Sequence, residues 1–336
     1  MRVLFRTSGG IAPDKELGFG HIYRSINLAK KICGNEIFFL IEDYGNVEKL
    51  LKKNNFKRIF NLKNDLDVDL DIKETCKIII KYSIDLVIVD KFKTKIKFLK
   101  KINQIAKVVY VSDLNKIEYP VDLVINGFVG FENKIQFNKY DSKCLLGSKY
   151  QILNEGFTKK KLQKKKYDLL VTFGGFDEKN IIDLFLDCWE QLPKKISVLM
   201  ILGPGTQKSN RMNKLLKKFP RKIIVKNQTS KMFEEMGKVN FGLCAGGITT
   251  YEFARMDIPF AIICQNEHQI ITAREWEKKK IGKNLGMVNK NTRKKLSKYL
   301  NNIVDGDIKT KARKVSTDDL DSKTIIDEIT KLDKKN

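Results

Sequence analysis

Short apolar runs alternate with longer amphipathic stretches along almost the whole chain. In the first half the runs are residues 2–6 (RVLFR), 36–42 (EIFFLIE), 85–90 (DLVIVD), 107–113 (KVVYVSD) and 121–126 (VDLVIN). Continuous runs rich in Val, Ile and Phe, separated by about 20 to 30 residues, suit parallel strands buried on both faces with crossover helices between them. The rhythm then restarts at residues 167–175 (YDLLVTFGG), 196–204 (ISVLMILGP), 222–227 (KIIVKN), 241–247 (FGLCAGG) and 259–265 (PFAIICQ). Between the two series, Gly156 to Asp168 is strongly charged and lacks an apolar face for most of its length, which marks a linker. The pattern predicts an α/β protein of two doubly wound domains, 1–157 and 158–336, with a helical C-terminal tail packing across.

Ligands of such sheets sit outside the carboxyl ends of the strands, so candidate chemistry belongs where the apolar runs stop. The chain has two histidines, and both fall there. His21 follows Gly18-Phe19-Gly20 and precedes an amphipathic stretch, so it is predicted at a helix N-terminus, where the dipole favours the neutral ring that a general base requires. A histidine that only caps the helix or packs under the loop is the other account of that position. Residues 244–252 (CAGGITTYE) place Gly246 and Gly247 before a helix, with Thr249 and Thr250 at its start and Glu252 a turn further on. Backbone N–H groups and hydroxyls there suit a diphosphate, and Glu252 suits the two hydroxyls of a ribose. An N-capped helix after a tight turn explains the same residues. Gln265 to Gln269 (QNEHQ) offers amide and imidazole groups, with His268 and Gln269 as ligand contacts or as parts of a surface turn. Gly174 and Gly175 either admit a ligand or make a strand-to-helix turn.

Composition narrows the classes. The 336 residues are 42% hydrophobic with six prolines, as expected of a globular chain with large cores. The formal charge of +25 raises polyanion binding as a non-catalytic alternative. That charge comes from 55 Lys and 10 Arg spread over nearly every predicted helix, whereas base and phosphate readers lean on Arg. Specific nucleic-acid recognition is therefore not expected, and a loose attraction to nucleotide phosphates and membrane surfaces is. Six scattered cysteines without C-x-x-C spacing indicate neither a zinc site nor a disulfide framework. No signal-peptide pattern or membrane-length apolar run is visible, so a cytoplasmic protein is expected.

Taken in order, residues 18–32 (GFGHIYRSINLAKKI), 145–157 (LLGSKYQILNEGF), 171–180 (VTFGGFDEKN), 244–260 (CAGGITTYEFARMDIPF) and 266–269 (NEHQ) resemble the UDP-sugar hydrolases of pseudaminic acid biosynthesis and their SpsG-type relatives from surface-polysaccharide pathways. These share the GT-B fold, two Rossmann-like domains with a cleft between them, with MurG-type glycosyltransferases. The resemblance implies hydrolysis of a UDP-linked 2,4-diacetamido-2,4,6-trideoxyhexose by water attack at the anomeric carbon, with inversion; no metal or other cofactor is expected, because the helix dipole and backbone donors already meet the diphosphate charge and no carboxylate pair has metal spacing. It maps the essential histidine onto His21 and the nucleotide-binding pattern onto Gly246, Gly247, Thr249 and Glu252. A UDP-dependent glycosyltransferase is the runner-up. The chain departs from the hydrolase pattern in three places. It has Asp90-Lys91-Phe92 where the family carries Asp-His-Tyr, and Arg6-Thr7-Ser8 where an Arg-x-Asp is usual, in a loop lengthened by residues 10–15. His268-Gln269 replaces the common Asn-Gln.

Overall fold

The computed structural model describes residues 1–11, 18–32, 34–157, 163–229, 231–307 and 322–333. The chain divides into two units, residues 1–153 with 319–336, and residues 154–318.

In the first unit the strands β1 (Arg2–Gly10), β2 (Glu36–Tyr44), β3 (Arg58–Leu62), β4 (Leu86–Asp90), β5 (Lys107–Val111), β6 (Leu123–Asn126), β7 (Lys134–Phe137) and β8 (Lys143–Leu146) form one sheet. Helices α1 (Gly20–Lys31), α2 (Val47–Lys53), α3 (Val68–Tyr82) and α4 (Ile96–Ile102) connect the first five strands. The order is β3-β2-β1-β4-β5-β6-β8-β7, and every pairing is parallel except the edge pair β7 and β8. Both faces are buried by the two-residue alternation of a strand. Val3, Phe5, Leu86 and Ile88 enter a core with Ile22 and Ile26 of α1, and Leu4, Val87 and Val89 enter another with Ile72 and Ile79 of α3.

The second unit repeats the plan with β9 (Tyr167–Thr172), α5 (Ile181–Glu190), β10 (Val198–Leu202), α6 (Asn210–Lys218), β11 (Ile223–Asn227), α7 (Met232–Gly237), β12 (Val239–Cys244), α8 (Thr249–Arg255), β13 (Phe260–Cys264), α9 (Glu267–Lys278), β14 (Gly282–Met287) and α10 (Thr292–Val304). Its sheet is parallel throughout, in the order β11-β10-β9-β12-β13-β14. In each unit the strand order reverses beside the first strand, between β1 and β4 and between β9 and β12. The two reversal points are where a doubly wound sheet opens a crevice for a ligand.

The division differs from the sequence-based boundary at both ends. Phe157 is buried against Phe233, and its carbonyl accepts a hydrogen bond from Arg255 Nε at 3.0 Å, so residues 154–157 belong with the second unit. The last helix, α11 (Ser322–Lys331), belongs with the first unit. Ile325 and Ile329 lie in the core on the α1 side, and Glu328 pairs with Lys143 of β8 at 2.6 Å. Part of the charged stretch read as a linker, residues 158–162, lies outside the described residues, and its end, Tyr167-Asp168, already belongs to β9. No helix among the described residues is long and apolar enough to cross a membrane.

Candidate functional site

At the reversal point of the first unit, β1 and β4 run side by side with Thr7 opposite Asp90, the last residue of β4. Gly9 lets α1 approach β1, since a Cβ there would lie 2.5 Å from the side chain of Ile22. The chain returns through Gly18, whose carbonyl accepts from the Gly10 N–H at 3.2 Å, and α1 opens at Gly20 without a side-chain cap. Gly20 is exposed with open space around its Cα. His21 is therefore the second residue of the helix, as its sequence setting predicts.

Its Nδ1 lies 2.7 Å from Oδ1 of Asp90, a carboxylate that is 1% exposed. One turn along α1, Arg24 grips both oxygens of Asp90, with Nε 2.8 Å from Oδ2 and Nη2 2.5 Å from Oδ1. Its Nη1 donates to Asp113, just beyond β5, at 2.6 Å. Burial works against the Arg24 charge, but the carboxylates of Asp113 and Asp90 outweigh it and hold the guanidinium more firmly protonated than usual. Arg24 Nη2 also lies 3.0 Å from His21 Nδ1. Nδ1 cannot donate to Asp90 and accept from Arg24 at once. The shorter contact is to a carboxylate, the stronger kind of hydrogen bond, so we assign the proton to Nδ1. Nε2 then keeps its lone pair, and it makes no hydrogen bond among the described residues. The hydroxyls of Thr7, opposite Asp90, and of Ser25, next to Arg24 on α1, are buried without partners among the described residues.

At the second reversal point three loops meet, after β9, β12 and β13. Two glutamines join them. Gln265, 6% exposed, donates through Nε2 to the carbonyls of Phe173 and Phe176 at 3.2 and 3.3 Å and accepts from the Glu178 N–H at 2.9 Å. Gln269 accepts through Oε1 from Gln265 N at 2.9 Å and Gly246 N at 3.2 Å. Gly174 adopts φ +78°, and its carbonyl and that of Gly175 lie against Gly203, while Gly175 accepts from Gly205 N at 2.8 Å.

This geometry redistributes the sequence candidates. The Gly246 N–H is already taken by Gln269, and a Cβ on Gly246 would meet Gln269 at 2.7 Å, so that glycine serves the packing of α9. Thr250 is fully buried, and its hydroxyl donates to Gly247 O at 2.7 Å and accepts from Trp276 Nε1 at 2.8 Å. Neither the Thr250 hydroxyl nor the Gly246 N–H matches the expected phosphate donor, because the fold has used both. Gln269 likewise spends its carbonyl oxygen inside the fold. Gly247 faces open space, Gly174 is exposed, and Gly175 and Thr249 are half-buried. His268 is exposed in the first turn of α9. The Glu252 carboxyl is pushed up to about 7 by burial, with the Thr249 hydroxyl pulling the other way. Among the described residues no cluster of His, Cys, Asp or Glu has the spacing to hold a metal ion.

Residues 169–329 match the glycosyltransferase family 28 C-terminal domain. The chain is 29% identical to the Methanocaldococcus jannaschii protein MJ1062 over 80% of its own length, and spans 57% of that protein. It is 28% identical to the spore coat polysaccharide biosynthesis protein SpsG of Bacillus subtilis, over 81% of each chain. It is 24% identical to the UDP-2,4-diacetamido-2,4,6-trideoxy-beta-L-altropyranose hydrolase of Campylobacter jejuni, over 83% of this chain and 97% of the hydrolase. Among solved structures, MurG of Acinetobacter baumannii superposes with a TM-score of 0.66 over 98% of this chain and all of MurG, at 13% identity. The chain is thus a homologue of SpsG and of the altropyranose hydrolase, built on the GT-B fold of MurG, and it matches the family 28 C-terminal domain from β9 to α11.

Proposed function

We propose that the protein hydrolyses a UDP-linked amino sugar at its anomeric carbon, releasing UDP, in the synthesis of a surface polysaccharide or nonulosonic acid. The observation that carries this reading is the His21–Asp90 pair, with the imidazole oriented by a buried carboxylate that Arg24 holds in place. Asp90 fixes the tautomer, so Nε2 takes a proton from water as the water oxygen bonds to the anomeric carbon. The bond from that carbon to the β-phosphate oxygen breaks, and UDP leaves with the electron pair on the opposite face, which inverts the configuration. In the second unit Gly174, Gly175, Gly247 and Thr249 would receive the diphosphate and Glu252 the ribose hydroxyls, with His268 available to a phosphate or sugar hydroxyl. The relationship to the altropyranose hydrolase supports a diacetamido sugar as substrate.

The family 28 match favours a second reading, in which the same base deprotonates an acceptor hydroxyl and the sugar is transferred. The test is incubation with UDP-amino sugars in the absence of any acceptor, following free sugar and its anomeric form. Release in the wild type, lost in His21→Asn with UDP affinity kept, is the expected result. Such a base contributes roughly a hundredfold to ten-thousandfold in rate. Release only on adding an acceptor supports transfer, and full turnover by His21→Asn removes the base from its role.

A further inference from the structure

The guanidinium of Arg24 presents two edges, and each takes a carboxylate. Nε and Nη2 face Asp90, at 2.8 and 2.5 Å, while Nη1 and Nη2 face Asp113, at 2.6 and 3.3 Å. Nη2 belongs to both edges. Its two protons lie in the guanidinium plane, one along each edge, so the two carboxylates between them use both. The Nδ1 of His21 lies 3.0 Å from the same nitrogen, yet no proton is left over for it. Nδ1 is therefore spared as an acceptor and remains a donor to Asp90.

Without Asp113 that count changes. The outer Nη2 proton loses its acceptor, and the imidazole nitrogen beside it becomes the nearest replacement. Asp90 still calls for a proton on Nδ1, while the released N–H calls for a lone pair there. A lone pair on Nδ1 puts the ring proton on Nε2, the atom that must be bare to take a proton from water.

The Asp113 side chain is half exposed, and an ordinary surface ion pair contributes little. Its backbone, however, is braced. The Ser112 hydroxyl donates to the Lys116 carbonyl at 2.6 Å, and the side-chain amide of Asn126, fully buried on β6, donates to the carbonyls of Leu114 and Lys116 at 2.8 and 2.9 Å. Leu114 is held at φ +53°, an unfavourable conformation for a bulky side chain. These bonds fix the turn that carries Asp113 to the outer edge of Arg24.

We propose that Asp113 is a positioning residue for the base: by taking the outer Nη2 proton of Arg24, it keeps the His21 proton on Nδ1 and the Nε2 lone pair free to act. This role rests on the reading of His21 as the base, and it makes the tautomer of that base depend on a residue that touches neither the imidazole nor the substrate.

The test is nitrogen NMR of the full chain with isotope-labelled histidine, at about pH 8, where an ordinary imidazole is neutral. The chain has two histidines, so the spectrum of His21→Asn identifies the ring signals of His21. The wild type should show a protonated Nδ1 and a bare Nε2. In Asp113→Ala the tautomer ratio should move toward Nε2–H by roughly tenfold to a hundredfold, the worth of one hydrogen bond between charged groups. kcat should fall in proportion to the Nδ1–H fraction lost, at unchanged KM and UDP affinity. Asp113→Glu, which keeps two acceptor oxygens, should retain the wild-type pattern. Ring signals unmoved in an Asp113→Ala protein that still binds UDP, or a wild-type His21 already protonated on Nε2, would overturn the proposal. The tautomer shift in a protein that turns over no UDP-sugar would sink the hydrolase reading and leave Asp113 setting the tautomer of an imidazole with another task.

Discussion

The Glu252 carboxyl gives the sharpest test of the proposed nucleotide site. With its proton leaving at about 7, the group is roughly nine-tenths ionised at pH 8 and one-tenth at pH 6. The carboxylate accepts from the two ribose hydroxyls through two charged oxygens, bonds roughly twice as strong as those to a neutral carboxyl. If the ionised form alone binds, the apparent dissociation constant scales inversely with that fraction and rises about tenfold from pH 8 to pH 6, or about 1.4 kcal/mol. Calorimetry should use a UDP-sugar in place of UDP, because a terminal phosphate titrates near pH 6 and would blur the slope. Stability of the free protein runs the other way. A carboxyl raised by burial from its unfolded value near 4.5 favours the folded state below that value, and the advantage is lost as pH rises through about 7. The ligand-free Tm should therefore fall between pH 5 and pH 8 while the shift produced by the UDP-sugar grows. Glu252→Gln should flatten both trends. Affinity that is level across the window in the wild type, or an unchanged slope in Glu252→Gln, would refute the assignment of Glu252 to the ribose.

Asp90→Asn should lower kcat about a hundredfold or more at unchanged UDP affinity, because an amide no longer fixes the His21 tautomer; steady-state kinetics would show it, and an unaltered kcat would return His21 to a structural role. Gly203→Ala places a Cβ 1.9 Å from the Gly174 carbonyl oxygen and 2.5 Å from that of Gly175, so it should cost about 1–3 kcal/mol in urea unfolding and weaken UDP binding through the displaced loop. Ile329→Ala removes a fully buried side chain from the first unit and should cost about 2–5 kcal/mol, whereas a tail lying passively on the surface would cost less than about 0.5 kcal/mol.

The strands visible in the sequence are those buried on both faces, because only these make unbroken apolar runs. β1, β2, β4, β5 and β6 are of this kind, as are β9, β10, β12 and β13, and β11, though only partly buried, opens with Ile223-Ile224-Val225. The missed strands lack that signal or are too short to show it, as in β8, whose buried run is only Cys144-Leu145-Leu146. β7 is an edge strand with Lys134, Ile135 and Phe137 exposed, β3 is a partly covered edge, and β14 carries Gly282, Lys283, Asn284 and Gly286 with a shift in its pairing to β13. His21 was legible as one of two histidines, each at a strand end. Its partners were not, because Asp90, Arg24 and Asp113 meet only through the adjacency of β1, β4 and β5, which no local spacing encodes. Arg24, one turn from His21 on the same helix face, was the one signal available. The threonine pair shows the reverse case. Thr249 and Thr250 are equivalent on paper, but Thr250 is buried, its hydroxyl held between the Gly247 carbonyl and the indole N–H of Trp276, 26 residues away.

The return of α11 to the first sheet makes the second unit an insertion within the first. During synthesis residues 1–153 leave the ribosome well before Ile325 and Ile329, so the trough these two fill stays open to water while the whole of residues 154–318 is made. The unit begun first is finished last, and the later, contiguous unit can close ahead of it. A chain stalled short of α11 would thus present a complete second unit joined to a first one with an exposed apolar seam, the kind of surface that chaperones and proteases engage.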